Sequence, residues 1–175
     1  MVYAWGIVLA FLAALLEIGV GTAGVAVPVF LATAFCLFVV AGWRSLLLPL
    51  GLVGVVLDVA VCRAAFLSPL LLLPTAACAA WWRQRGDCHN RVLQAGPGFA
   101  LGVLWVWAAV LLENLPKQPG GHALLLHSLL LSAKAGLAGA LALPAVVAFH
   151  DAAAAQMGFP VYRRIQQMEG RDYGV

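Results

Sequence analysis

The sequence predicts an all-α integral membrane protein, a six-helix transmembrane bundle. Three observations predict it. The chain is 64% hydrophobic and only 10% charged over 175 residues, where soluble domains carry about 25% charged and 45–50% apolar residues. A soluble fold of this size keeps too much surface exposed to hide that much apolar area, so the solvent for most of the chain is lipid. The apolar residues also come in runs of membrane-spanning length, parted by short stretches rich in Gly, Pro and Arg. Finally, the arginines segregate. With the N-terminus inside, Arg44, then Arg83, Arg85 and Arg91, then Arg163, Arg164 and Arg171 fall on the inner side, against Lys117 and a rim Arg63 outside. That bias favours an even number of spans with both termini cytoplasmic.

The expected bundle covers residues 1–150, followed by a polar cytoplasmic tail over 151–175. Span one, residues 2–23, lacks a basic leader and a clear cleavage site and is read as a retained helix. A glycine-rich link leads to span two, 25–43, which has Pro28 near its start. Arg44 and Ser45 break the run before span three, 46–64. Span four, 66–82, contains Pro69 and Pro74, and such prolines in a membrane helix imply a kink or break whose freed carbonyls neighbours satisfy. Trp81-Trp82-Arg83 marks an aromatic belt meeting a basic loop. Span five is 97–113, and 114–121 is a Pro- and Gly-rich loop. The apolar stretch 122–150, with span six at 123–150, reads as one long tilted helix or as a pair broken near Gly136, Gly139 and Pro144. The single helix is preferred, because the stretch is too short for two spans of about 20 residues each.

Span three carries the most informative residues. Asp58 lies within it, Gly51 and Gly54 precede it, and Arg63 follows. A charge at the bilayer centre costs roughly 2.5–3.5 kcal/mol on insertion scales, so Asp58 needs a partner or a proton. Gly51 and Gly54 offer close approach to another helix. At 1.5 Å per residue, Glu17 and Lys134 fall at a depth similar to Asp58, near mid-bilayer or slightly outward. Arg63 lies higher and can snorkel to the outer surface. Three readings stay open: Asp58 or Glu17 paired with Lys134 in a relay or solute site, a structural ion pair, or a carboxyl kept neutral by burial.

Other polar groups point to packing. Cys36, Cys62, Cys78 and Cys88 form no C-x-x-C pair and read as free thiols. His122 and His127 are not on one helical face, and no metal-ligand set accompanies them, so no metal or other cofactor is expected. His150-Asp151 reads as a helix end. Ser128 and Ser132, like Gly98 and Gly102, have the spacing of packed small residues, and Trp105 and Trp107 read as packing or lipid-facing groups. No nucleophile elbow, paired aspartates or phosphate loop occurs. The scattered basic residues offer no run for nucleic acid.

The segment Gly51-Leu52-Val53-Gly54-Val55-Val56-Leu57-Asp58 resembles the G-x-x-x-D signature of the MreD family of bacterial rod-shape-determining membrane proteins. The order around it is similar: a span entered with Pro28, the basic turn at Arg44, the Gly/Asp span, a leucine-rich span and a basic loop. The likeness covers residues 27–95, and Ala64-Ala65-Phe66-Leu67-Ser68-Pro69 stands where the family has a leucine-glycine step. Gly54 and Asp58 carry over as motif residues, and Pro28 more weakly. The resemblance implies a six-helix fold similar to the substrate-binding subunits of energy-coupling transporters. It implies a non-catalytic subunit of the cell-shape and peptidoglycan-elongation complex in the cytoplasmic (inner) membrane. Its partner would be an MreC-like scaffold, and through it RodA, a class B penicillin-binding protein and MreB. On this reading Gly51, Gly54, Asp58, Glu17, Lys134 and Arg63 order the bundle or a partner interface. The rival reading is a small-solute subunit of the energy-coupling type. An enzyme is disfavoured because no acid, base or metal set converges.

Overall fold

The computed structural model describes residues 2–22, 27–63, 66–85, 90–114, 121–158 and 161–162. Among these residues the chain forms six helices and no strand: α1 (Val2–Thr22), α2 (Val29–Ala41), α3 (Trp43–Ala60), α4 (Leu67–Arg85), α5 (Arg91–Asn114) and α6 (Gly121–Met157). Four stretches are long and apolar enough to cross a membrane: Tyr3–Gly21, Trp43–Ala60, Val92–Leu112 and Ser128–Met157. Large apolar side chains are exposed along all four, including Leu16, Leu52, Leu111 and Leu141. That is the surface expected where lipid replaces water.

The short helix α2 is the hub. It has 13 residues, every one from Phe30 to Val40 is buried, and it touches all five other helices. At about 20 Å it is shorter than the ~30 Å hydrocarbon core. The reason lies at its ends. Pro28 occupies the N-cap position, and Gly42 stops the helix in a left-handed conformation, φ +81°, which glycine adopts without a Cβ clash. The apolar run of 25–43 is therefore not one helix, and Arg44 and Ser45 lie in the first turn of α3 rather than in a break.

The remaining helices follow local signals. Asn90 caps α5, its Oδ1 accepting the Val92 N–H at 3.0 Å, so α5 begins before Pro97 and carries that proline inside. Helix α6 is continuous through Gly136, Gly139 and Pro144. It runs past His150 to Met157 because the alanines at 152–155 are the strongest helix formers. Gly158, φ +70°, closes it. Tyr162 folds back, its N–H donating to Asp151 Oδ1 at 2.8 Å. The remainder of the expected tail, 163–175, lies outside the described residues.

Helices α5 and α6 pack along a glycine seam. A Cβ added at Gly98 would strike the Gly139 carbonyl, one at Gly102 the Ala135 carbonyl, and one at Gly136 the ring of Phe99. Glycines that one reading took as break points in span six are thus the contact surface of an unbroken helix.

Candidate functional site

The buried charges gather at one end of the bundle, where α1 turns into α2 and α3 into α4. Glu17 lies near the C-terminus of α1 and Asp58 in the last turn of α3, both buried. Helix α3 stops two residues after Asp58. Cys62 adopts a left-handed conformation, φ +54°, while its N–H donates to the Val59 carbonyl and the Arg63 N–H to the Asp58 carbonyl at 2.9 Å. This is the reverse-turn stop common at helix C-termini. It wraps the chain back so that Arg63 points to Asp58 instead of continuing outward.

Arg63 is the centre of the cluster. Its Nη1 donates to Asp58 Oδ1 at 2.8 Å and to Ser68 Oγ at 3.0 Å. Its Nη2 meets Glu17 Oε1 at 3.2 Å. The guanidinium lies over the Trp105 ring of α5, 5.3 Å from its centroid, a cation–π contact that strengthens out of water. One side chain therefore joins α1, α3, α4 and α5.

The carboxylates have a second task. The first turn of a helix has unpaired N–H donors, and neither Pro28 nor Phe66 has a side-chain acceptor to take them. Glu17 Oε2 accepts the Phe30 N–H of α2 at 2.9 Å. Asp58 Oδ2 accepts the Ser68 N–H of α4 at 2.7 Å, and Oδ1 accepts the Ser68 hydroxyl at 2.7 Å. In each hairpin the first helix lends a carboxylate to cap the second. With both carboxylates ionised the charge also closes: two carboxylates and one guanidinium leave one negative charge, and two helix N-termini supply about +0.5 each. Next to this lock, Gly54 lets α4 approach. A Cβ there would lie 3.2 Å from the Pro69 nitrogen and 3.3 Å from Ser68 Cβ.

The expected residues divide accordingly. Glu17, Asp58 and Arg63 come together, with Gly54 beside them. Gly51 does not take part, since a Cβ there meets nothing within 4 Å. Lys134 does not pair with Glu17 or Asp58. It is exposed on α6, next to Ala135, which faces the Gly102 seam. Arg63 does not snorkel outward but turns inward, with its side chain only 18% exposed. The charges sit toward the helix ends rather than at mid-span. Ser68 and Trp105 were not anticipated as site residues. A serine just before a proline at the start of a helix is a usable first-turn signal for Ser68, whereas nothing local marks Trp105.

Elsewhere, hydroxyls bond their own helix. Thr33 donates to the Val29 carbonyl, Thr75 to Leu71 and Ser132 to Ser128, at 2.7–2.9 Å, which hides a polar group without a partner helix. Cys36 is buried, Cys62 exposed and Cys78 half-buried, none of the three joined in a disulfide. The side chains of His122 and His127 lie outside the described residues, as does Cys88. Among the described residues no three His, Cys, Asp or Glu side chains are placed to hold a metal ion. Chemically, the cluster is a set of mutually satisfied charges that fixes helix positions.

No protein-family model, curated protein or solved structure matches this chain. The class defined by fold and site is that of a multi-pass membrane helical bundle braced by a buried carboxylate–arginine lock.

Proposed function

We propose that the chain is a non-catalytic subunit of a bacterial cell-shape and peptidoglycan-elongation complex. It sits in the cytoplasmic membrane with both termini inside and acts by holding an MreC-like scaffold protein through helix contacts. The observation that carries the non-catalytic part is the commitment of both buried carboxylates. Glu17 and Asp58 are each occupied by a helix N-terminus and by Arg63, so neither of these two carboxylates is free to act as an acid or base in transfer chemistry. The elongation-complex part rests on the resemblance at Gly54 and Asp58. The two residues work together here, one admitting α4 and the other capping it, so the motif reads as a device for shaping a partner-bearing bundle. The outward face of α3 supplies the docking stripe: Leu48, Leu52, Val56 and Val59 are all more than half exposed at spacings that share one helix side.

The test is capture of the full chain from native bacterial membranes in a mild detergent, with the co-purifying proteins identified. Recovery of an MreC-like scaffold that is lost in Val56→Trp, at unchanged levels of the subunit, supports the reading. Recovery of an ATPase pair with a coupling subunit would replace it with the solute-transporter reading. Loss of nothing in Val56→Trp would move the interface off α3.

A further inference from the structure

The lock leaves one intramembrane charge out. Lys134 lies on the exposed side of α6 and makes no hydrogen bond or ion pair among the described residues. The glycine seam fixes its depth. Gly98 meets Gly139 and Gly102 meets Ala135, so α5 and α6 run antiparallel and stay in step over a helical turn. Gly102 is the midpoint of the apolar stretch Val92–Leu112. At 1.5 Å per residue it stands about 15 Å from either end, the centre of a hydrocarbon core about 30 Å thick. Lys134, next to Ala135, shares that depth.

An ammonium in this position is costly. Charged side chains within membrane spans almost always face the bundle interior or a water-filled cavity. Lys134 faces neither. Leu130, Leu137 and Leu141 share its side of the helix and are each more than half exposed. Snorkelling does not reach water, because a lysine stem extends about 6 Å and either interface is about 15 Å away. The cation therefore calls for a counter-ion delivered from outside the chain, at mid-bilayer depth.

Depth and sign together select the occupant. Lipid phosphates lie at the interfaces, about 15 Å from Lys134. A second copy of this chain brings no suitable carboxylate. Glu17 and Asp58 are buried in the lock. Glu113 lies beyond Leu112, at the end of the apolar stretch of α5, and Asp151 stands about 25 Å further along α6. We infer that Lys134 and its flanking leucines form a docking face for a transmembrane helix of a different protein, which supplies a mid-span Asp or Glu to the lysine. Apolar area alone gives helices in lipid no drive to associate, so the ion pair carries the specificity. This face is separate from the proposed scaffold contact, since α6 packs chiefly on α5 and α2, and α3 on α1, α2 and α4. The inference is independent of the identity of the scaffold.

The experiment replaces Leu137 with the photo-reactive residue p-benzoylphenylalanine in the full chain. The protein is placed in phosphatidylcholine vesicles with a synthetic leucine–alanine transmembrane peptide of about 21 residues, whose central residue is Asp or Leu. The Asp-centred peptide should cross-link about tenfold more than the Leu-centred one. Lys134→Met should remove that preference, Lys134→Arg should keep it, and Lys134→Glu should transfer it to a Lys-centred peptide. The same probe at Leu52 on α3 should show no preference. Equal cross-linking of the Asp and Leu peptides, or a preference that survives in Lys134→Met, overturns the proposal. In native bacterial membranes the Leu137 probe should give a discrete adduct with a helix carrying a mid-span acid, and Lys134→Met should abolish it. Adducts with lipid alone overturn the proposal as well. Val56→Trp should leave the Leu137 adduct in place, which separates failure of the scaffold reading from failure of this one. Lys134 is exposed, so its variants leave the packing of the bundle intact.

Discussion

Two regions of this bundle hold their helices by opposite means. Helices α1 to α4 are joined by charge: Glu17, Asp58 and Arg63 bond one another and the starts of α2 and α4. Helices α5 and α6 are joined by the absence of side chains, through Gly98, Gly102, Gly136 and Gly139. Between helices in lipid there is no hydrophobic driving force, which leaves close packing and polar bonds as the available sources of contact. The two halves use one each. The difference lies in how they fail. A polar lock fails by stranding a buried charge, whereas a glycine seam fails by steric exclusion and loses only its contact.

The largest expected effect comes from breaking the lock. Arg63→Leu leaves Glu17 and Asp58 buried without their shared cation, and breaking a buried pair in this way costs about 3–5 kcal/mol. Unfolding in bicelles titrated with denaturing detergent should show that loss, and Asp58→Leu should show a comparable one because it also uncaps α4. The triple variant Glu17→Gln, Asp58→Asn, Arg63→Met keeps acceptors at both helix starts and strands no charge. It should be more stable than Arg63→Leu alone, as expected for residues that act as one network. A triple variant as unstable as the sum of its parts contradicts the lock.

Next comes the seam. Gly102→Leu places a side chain into the Ala135 backbone, and overpacking of this kind costs roughly 1–3 kcal/mol or more. The loss should be local: cysteine pairs engineered across α5 and α6 should cease to cross-link while pairs across α1 and α2 still do. Coincident loss of both would show that the two regions are one cooperative unit.

Much of this contrast was legible in the sequence. The apolar segments, the small-residue step Gly98–Gly102, and the need of Asp58 for a partner all follow from residue type and spacing. The partner itself was hidden by one residue. Carrying span three on to Ala64 sends Arg63 to the surface, and only the left-handed turn at Cys62 brings it back. Left-handed geometry at a non-glycine leaves no mark in hydropathy. Lys134 failed as a partner for an angular reason. It lies about 100° around the helix from Ala135, the residue turned toward Gly102, and depth alone does not report the direction a side chain faces. The brevity of α2 was masked in the same way, because an apolar run reads through Pro28 and Gly42 without registering that both interrupt a helix.

Smaller substitutions sharpen the boundary between the two regimes inside α3. Gly54→Ala presses a methyl to within 3.2–3.3 Å of Pro69 and Ser68, whereas Gly51→Ala meets nothing. Replacing a helix-interior glycine by alanine otherwise stabilises by roughly 0.5–1 kcal/mol. Gly51→Ala should therefore raise the unfolding midpoint. Gly54→Ala should be neutral or lower it, since the start of α4 has to give way. If both rise equally, α4 is not held against Gly54 and the small residue there is incidental.

The smallest effect tests the turn on which the lock depends. Cys62 holds φ +54°, a conformation that costs an L-residue about 1–2 kcal/mol and glycine nothing comparable. Glycine also gains freedom in the unfolded chain, which removes part of the benefit. Cys62→Gly should therefore stabilise the bundle, by about 0.5–1 kcal/mol, and should do so only while Arg63 is present to exploit the turn. In an Arg63→Leu background the same change should recover little of the loss, because relieving the backbone does not restore the missing cation. Cys62→Ala keeps the strained backbone and removes only the exposed thiol, so it should leave the midpoint where it was. Equal stabilisation by glycine and alanine would trace the gain to the sulfur and not to the turn. The link between the left-handed stop and the charge lock would then be lost.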